Sequence, residues 1–293
     1  RDFCLSRGLG DVYKRQSTAA FNVEVIMRNA HFLCGDVLDR MKDIEDQSIN
    51  LIATDPPYNI GWKYAKGIAG VVDDKRDDYD EWAAAWVKEC FRVLAPTGSL
   101  YIIAYHETLA DFYWKTCMEH GHFRRWLTWP YKMNYGHTLK NYVKAQRGIL
   151  YFTKDENNYT FNGEDILIPY PEMSLKQKHV QEAIKKHGRA GRPSYDWFAD
   201  INVVQHTHSE KQKFRTSSGI SSMNQIPEAL MDIFIKASSN EGDVVLDPFC
   251  GTGTTAASAL RNKRKIITID QSDTYLQVAL KRVEPWLYGE KKW

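Results

Sequence analysis

Residues 244–260 read VVLDPFCGTGTTAASAL: a short apolar run, a glycine turn, then a helix pattern. Gly251-x-Gly253-x-x-Ala256 has the spacing of a nucleotide-binding turn, in which glycine permits a tight bend and close backbone approach to a ligand. The next apolar run, KIITID, ends in Asp270, 19 residues after Gly251. An acid at that place accepts hydrogen bonds from two ribose hydroxyls. The stretch therefore predicts strand, turn, helix and strand of a doubly wound α/β sheet, with a site for an adenosine-type nucleoside.

Working outward, the same rhythm recurs. AHFLCGD (30–36) reads as a strand ending at Asp36, and VLDRMKDI as a short amphipathic helix. SINLIATD (48–55) is apolar without alternation, as suits a parallel strand covered on both faces. In residues 78–100, Trp82, Ala85, Trp86, Cys90, Val93 and Leu94 fall near 3.6-residue spacing, and Pro96 and Gly98 supply the stop. GSLYIIAYH and RGILYFTK read as strands, and a helix is predicted after Pro227. Alternating strands and helices argue for a doubly wound, mostly parallel sheet.

Composition is that of an ordinary globular protein, 43% hydrophobic and 26% charged over 293 residues. No run approaches the 18 or so apolar residues of a membrane span. The five cysteines are scattered without a CxxC pair, which fits free thiols in a reducing compartment. The HGH (120–122) and HTH (206–208) triplets lack companions at ligand spacing, so no metal site is expected. Net charge is +2, but residues 131–222 hold 14 Lys and Arg against 9 Asp and Glu, a local +5 that leaves −3 elsewhere. A basic middle points to an anionic partner or to a solvated face. Residues 1–16, RDFCLSRGLGDVYKRQ, resemble translated sequencing-adapter read-through; they are set aside as a non-native leader, with the protein expected to begin near Met27.

A second motif stands at 49–64, INLIATDPPYNIGWKY. Asp55 and Tyr58 flank two prolines where a strand ends. Three further acids end strands: Asp36, Asp247 and Asp270. Asp247 lies where a pyrophosphate would otherwise sit; its charge repels phosphate and suits a cationic sulfonium and amino group. S-adenosylmethionine satisfies all three acids, whereas a nicotinamide dinucleotide does not.

DPPY followed downstream by DPFCGTGTT resembles the DNA amino-methyltransferases, and the order, catalytic motif before cofactor motif, resembles their beta class. The likeness covers about residues 30–285. It implies a seven-stranded, Rossmann-like methyltransferase sheet with circularly permuted motif order. It implies a catalytic tetrad of Asp55, Pro56, Pro57 and Tyr58. It also implies cofactor contacts from Asp36, Asp247, Phe249, Gly251, Gly253, Thr254 and Asp270, and from Asn224 and Gln225 in SSMNQIPEAL. In that stretch Ile226 stands where the family has a basic residue, and the family's histidine is missing.

The chemistry follows from the residue types. An exocyclic amine of a base is a poor nucleophile, because its lone pair is delocalised into the ring. Asp55 and the Pro56 carbonyl accept its two N–H groups, proline holds that carbonyl still, and Tyr58 stacks on the base. The base must leave the duplex to reach them. Phosphate or base contacts are expected from Lys63, Lys140, Lys144, Arg147, Lys185, Lys186, Arg189, Arg192, Lys211, Lys213 and Arg215. The expected division is 27–130 catalytic, 131–222 an inserted recognition region, 223–285 cofactor-binding, and 286–293 a tail. DPPY accompanies adenine more often in the family, and Ser-Pro-Pro-Tyr accompanies N4 of cytosine, so adenine N6 is the expected target with cytosine N4 the alternative. A nicotinamide oxidoreductase and a catalytically idle nucleic-acid-binding protein are remoter readings. The resemblance further implies double-stranded DNA as partner, a cognate restriction endonuclease, a homodimer, and a cytoplasmic bacterial or phage-encoded protein.

Overall fold

The structure is a computed structural model and describes residues 13–16, 23–61, 63–66, 70–132, 139–205, 208–216, 219–221 and 224–287. Its main sheet contains, in chain order, β1 Tyr13–Gln16, β2 Val23–Met27, β3 Ala30–Cys34, β4 Ile49–Thr54, β5 Leu94–Ala104, β6 His122–Pro130, β7 Gln146–Thr153, β8 Val244–Asp247 and β9 Lys265–Asp270. In space the order is β1-β2-β3-β9-β8-β4-β5-β7-β6. The five central strands, β3 to β5 in that order, pair in parallel. β7 runs antiparallel to both β5 and β6, and β1–β2 forms an antiparallel hairpin on the other edge.

The main helices are α1 Val37–Met41, α2 Tyr79–Val93, α3 Trp114–His120, α4 Lys178–His187, α5 Glu228–Ser238, α6 Thr254–Arg261 and α7 Asp273–Leu287. Successive residues of a strand point to opposite faces. Leu51 and Ala53 accordingly join a core with α5, α6 and α7, while Ile52 joins one with α1, α2 and α3. Both faces of β4 are thus covered, which explains its unbroken apolar run. Burying each large aliphatic side chain contributes about 1.5–3 kcal/mol.

The doubly wound, mostly parallel sheet is as expected, and the folded chain differs from expectation in detail. The sheet has nine described strands, two beyond the expected seven, because β1 and β2 extend its edge beside β3. β1 lies inside the stretch 1–16 that was set aside; residues 1–12 lie outside the described residues. Residues 131–222 do not form one insertion, since β7 within them pairs along β5 from Ser99↔Thr153 to Ala104↔Gly148. Its alternating Ile149, Tyr151 and Leu150, Phe152 supply both cores, so burial draws it into the sheet. The last helix also runs through Pro285 to Leu287, two residues beyond the expected boundary.

Candidate functional site

The parallel strands deliver their carboxyl ends to one edge of the sheet, where doubly wound folds place ligands. Register aligns those ends: Asp270 pairs with Cys34, Asp247 with Thr268, Leu246 with Ile52, and Thr54 with Ile102. Asp36, Asp270, Asp247 and Asp55 follow from adjacent strands. The two motifs, 193 residues apart in sequence, meet directly: the Thr54 hydroxyl donates to Asp247 Oδ1 at 2.8 Å. The Phe249 N–H donates to the same oxygen at 3.1 Å.

Asp270 anchors the glycine turn. It accepts from Gly251 N and Ser272 N, each at 2.8 Å. A carboxylate offers about four lone-pair sites, so capacity remains for hydroxyls. Burial pushes Asp247 up to about 6 and Asp270 up to about 7, against hydrogen bonds that favour their ionised forms. Neither carboxylate forms an ion pair among the described residues. Buried acids without a counter-cation fit a cationic ligand and disfavour a pyrophosphate. Asp36 caps α1, accepting from Leu38 N at 2.9 Å, and remains exposed at the end of β3.

Other expected cofactor residues have structural employment. Gly253 adopts the left-handed region at φ 76°, and a Cβ there would collide with Ala279 of helix α7. Thr254 accepts from Arg282 at 3.0 Å. The Phe249 ring packs edge-on against Trp82 and Trp86, with centroids 5.6 and 5.1 Å away. Gln225 departs from its expected cofactor role. Its amide nitrogen donates to the backbone oxygen of Glu210 and to Glu210 Oε1, and its oxygen accepts from Gln212 N. Both donor hydrogens are used inside the protein; Asn224 beside it is exposed. Glu210 and Arg282, which the sequence reading missed, tie residues 208–212 to the glycine turn: Arg282 also reaches Thr252 O at 3.2 Å and Glu228 Oε1 at 2.5 Å.

At the tetrad, Pro57 O accepts from the Tyr79 hydroxyl and, at 3.4 Å, from that of Tyr113. These bonds hold the Pro-Pro segment from below. The Tyr58 hydroxyl donates to Asp55, and its ring is buried edge-on to Tyr105 at 5.2 Å. Arg147 departs from the expected phosphate-binding role. It is buried beneath the tetrad, its Nη1 3.2 Å from Asp55 Oδ2 and 2.7 Å from the Tyr58 hydroxyl. Its parity with Ile149 and Tyr151 on β7 is the signal that could have placed it inward.

The remaining basic candidates are dispersed. Lys144 pairs with Glu107 at 3.1 Å and lies over Tyr105. Lys140, Lys185, Lys186, Arg192 and Lys213 are exposed, and Arg189 and Lys211 half-buried. Lys63 and Arg215 lie on the strands Lys63–Lys66 and Phe214–Thr216. Trp62 and His206 lie outside the described residues. Beyond β6, Arg192 stacks on Tyr195 at 4.8 Å, and Tyr195 on Trp197 at 5.9 Å with planes 8° apart; both rings are exposed.

A glycine turn and strand-ending carboxylates beside a Pro-Pro tetrad suit a methyltransferase that uses S-adenosylmethionine. Comparison with known proteins agrees. A family model described as DNA methylase, N6_N4_Mtase, matches residues 49–281. The chain is 34% identical over 260 residues to the Type II methyltransferase M.HpaI of Haemophilus parainfluenzae, covering 88% of this chain and 75% of that one. It is 33% identical over 253 residues to the DNA adenine methyltransferase YhdJ of Escherichia coli K12, covering 85% and 81%. Among solved structures, the M1.HpyAVI–SAM complex shares the fold with a TM-score of 0.57 at 20% identity, covering 87% of this chain and 99% of that one. The PvuII DNA methyltransferase (cytosine-N4-specific) does so with a TM-score of 0.60 at 15% identity, covering 90% and 93%. The chain belongs to the N6/N4 DNA methylase family and is a DNA methyltransferase.

Proposed function

We propose that the chain methylates the exocyclic N6 of adenine, rotated out of duplex DNA at a defined sequence. The observation that carries this reading is the juxtaposition of Asp55 with the acidic cofactor crevice through the Thr54–Asp247 hydrogen bond. When bound, S-adenosylmethionine supplies a methyl group on a positively charged sulfur that departs as a neutral thioether. Asp55 and the Pro56 carbonyl accept the two amine N–H groups and turn the nitrogen lone pair toward that methyl. Orientation of this kind supplies much of the rate. As nitrogen gains its new bond to carbon it sheds one proton by way of Asp55. Asp36, Asp247 and Asp270 hold the cofactor's cationic and ribose groups.

DPPY and the identity to a relative named as a DNA adenine methyltransferase support adenine over cytosine N4. The Type II names among the relatives support a cognate restriction endonuclease. The homodimer and the cytoplasmic location rest on family resemblance, and sedimentation of the purified chain tests the former. Expressing the chain in a methylation-free host and sequencing plasmid DNA for modified bases tests the whole assignment. N6-methyladenine at one sequence is expected; N4-methylcytosine overturns the base assignment, and unmodified DNA overturns both.

The Arg192–Tyr195–Trp197 stack supplies exposed aromatic faces beside a cation, which suits contact with unstacked bases or the backbone. Replacing Tyr195 and Trp197 together by Ala is expected to raise KM for DNA at least about tenfold, at about 1–3 kcal/mol per stacked base, with little change in kcat. Steady-state kinetics on oligonucleotide duplexes checks this.

A further inference from the structure

Arg147 is a full positive charge, 8% exposed, at the start of β7. Its Nη1 lies 3.3 and 3.2 Å from the two oxygens of Asp55 and 2.7 Å from the Tyr58 hydroxyl. Its guanidinium carbon is 5.2 Å from the centre of the Tyr58 ring and 5.6 Å from that of Tyr105. The Nε is buried without a hydrogen-bond partner among the described residues. An incompletely satisfied buried ion pair is a poor device for stability, and replacing both partners by apolar side chains of similar volume commonly does as well or better. Its neighbours on the same face of the strand, Ile149 and Tyr151, belong to the apolar core. The charge therefore needs a reason other than stability.

That reason lies in the carboxylate it touches. Asp55 has to be ionised to accept an amine N–H, and burial raises it, opposed chiefly by the nearby Arg147 charge and then by the Tyr58 hydrogen bond. Among the described residues the other groups around it supply no opposing cation in contact. Asp247 faces it from β8, and its negative charge and that of Asp55 repel. Tyr131 and Tyr113 are neutral phenols, and Tyr79 lies below Pro57. Lys144 is placed over Tyr105 and paired with Glu107, next to His106. Resting on the tetrad reading above, we infer that Arg147 is a positioning residue for methyl transfer: its guanidinium keeps the Asp55 carboxylate ionised and holds it in register with the target amine.

The test is the pH dependence of kcat for the full chain and its Arg147→Met, Arg147→Gln and Arg147→Lys variants, with cofactor binding measured by calorimetry. In the neutral variants the acidic limb is expected to move up by about one to three pH units, the effect of losing an adjacent opposite charge. The sign follows from the need for an anion: a carboxyl that is harder to ionise becomes competent only at higher pH. At pH 7 this appears as a fall of about tenfold or more in kcat with cofactor affinity nearly unchanged, and partial recovery at pH 9. Arg147→Lys keeps the charge and should keep the wild-type limb. Neutral variants whose limb stays in place overturn the inference. Should neither neutral variant bind cofactor, the Lys variant decides: a limb that moves although the charge is retained overturns it, and one that stays supports it. Asp55→Asn runs alongside; a fully active Asp55→Asn sinks the tetrad reading itself, which separates that failure from failure of the Arg147 inference.

Discussion

Asp55→Asn is expected to bind S-adenosylmethionine and duplex DNA normally and to turn over about 10²–10³-fold more slowly, the range typical of removing one preorganised electrostatic contact at a reacting centre. The amide keeps the shape of the side chain but loses its charge and offers one acceptor in place of two oxygens. It also leaves Arg147 as an uncompensated buried cation, since the Asp55 oxygens and the Tyr58 hydroxyl are its hydrogen-bond partners. Breaking a buried pair from one side destabilises by about 3–5 kcal/mol. Because Asp55 is partly exposed, the lower end of that range is expected. Single-turnover kinetics with premixed cofactor separates the chemical loss from the stability loss. A variant that keeps wild-type single-turnover rates refutes the role given to Asp55.

Gly253→Ala is the second large effect, and it falls on stability. A Cβ at Gly253 would meet the Cβ of Ala279 at 2.6 Å and its Cα at 2.9 Å. Ala279 lies in the middle of α7 with its side chain fully buried, so a backbone atom has to yield. Overpacking of this kind costs about 1–3 kcal/mol. The φ of 76° adds about 1–2 kcal/mol for an L-residue. The expected loss of about 2–5 kcal/mol corresponds to a fall in Tm of roughly 5–15 °C for a chain of this size. Thermal unfolding with and without cofactor measures it. A variant as stable as the parent contradicts the close approach of the turn to α7.

That close approach illustrates what the sequence could and could not reveal. The glycine spacing correctly announced a turn between β8 and α6. The second glycine is required by a helix 26 residues further on, a tertiary contact that local spacing does not encode. Strands buried on both faces, such as β4 and β8, were legible because unbroken apolar runs have few other uses. Asp36, Asp55, Asp247 and Asp270 were legible for a related reason: each closes such a run, and strand ends share one edge of a parallel sheet.

Other readings have equally physical origins. Arg147 was read as a phosphate contact from the basic middle of the chain, and Gln225 and Thr254 as cofactor contacts from the family resemblance. In the folded chain each is consumed by a partner distant in sequence, namely Asp55, Glu210 and Arg282. β7 was recognised as a strand but assigned to an insertion, since nothing local in RGILYFTK says that it slots between β5 and β6. Only the meeting of its two apolar faces with two separate cores decides that.

The antiparallel course of β7 has a consequence for how the segment between β6 and β7 could be exchanged. Pro130, closing β6, is the register partner of Gln146, opening β7, and Tyr131 N donates to Ala145 O at 2.9 Å. The chain therefore leaves the scaffold and rejoins it through a two-stranded neck, one residue before Arg147. Exchange of residues 131–145 for a foreign segment would be anchored by an existing ladder pair and would spare the arginine. A graft cut only a few residues later would remove Arg147 and its contacts with Asp55 and Tyr58, so the neck marks a splice point that spares the tetrad.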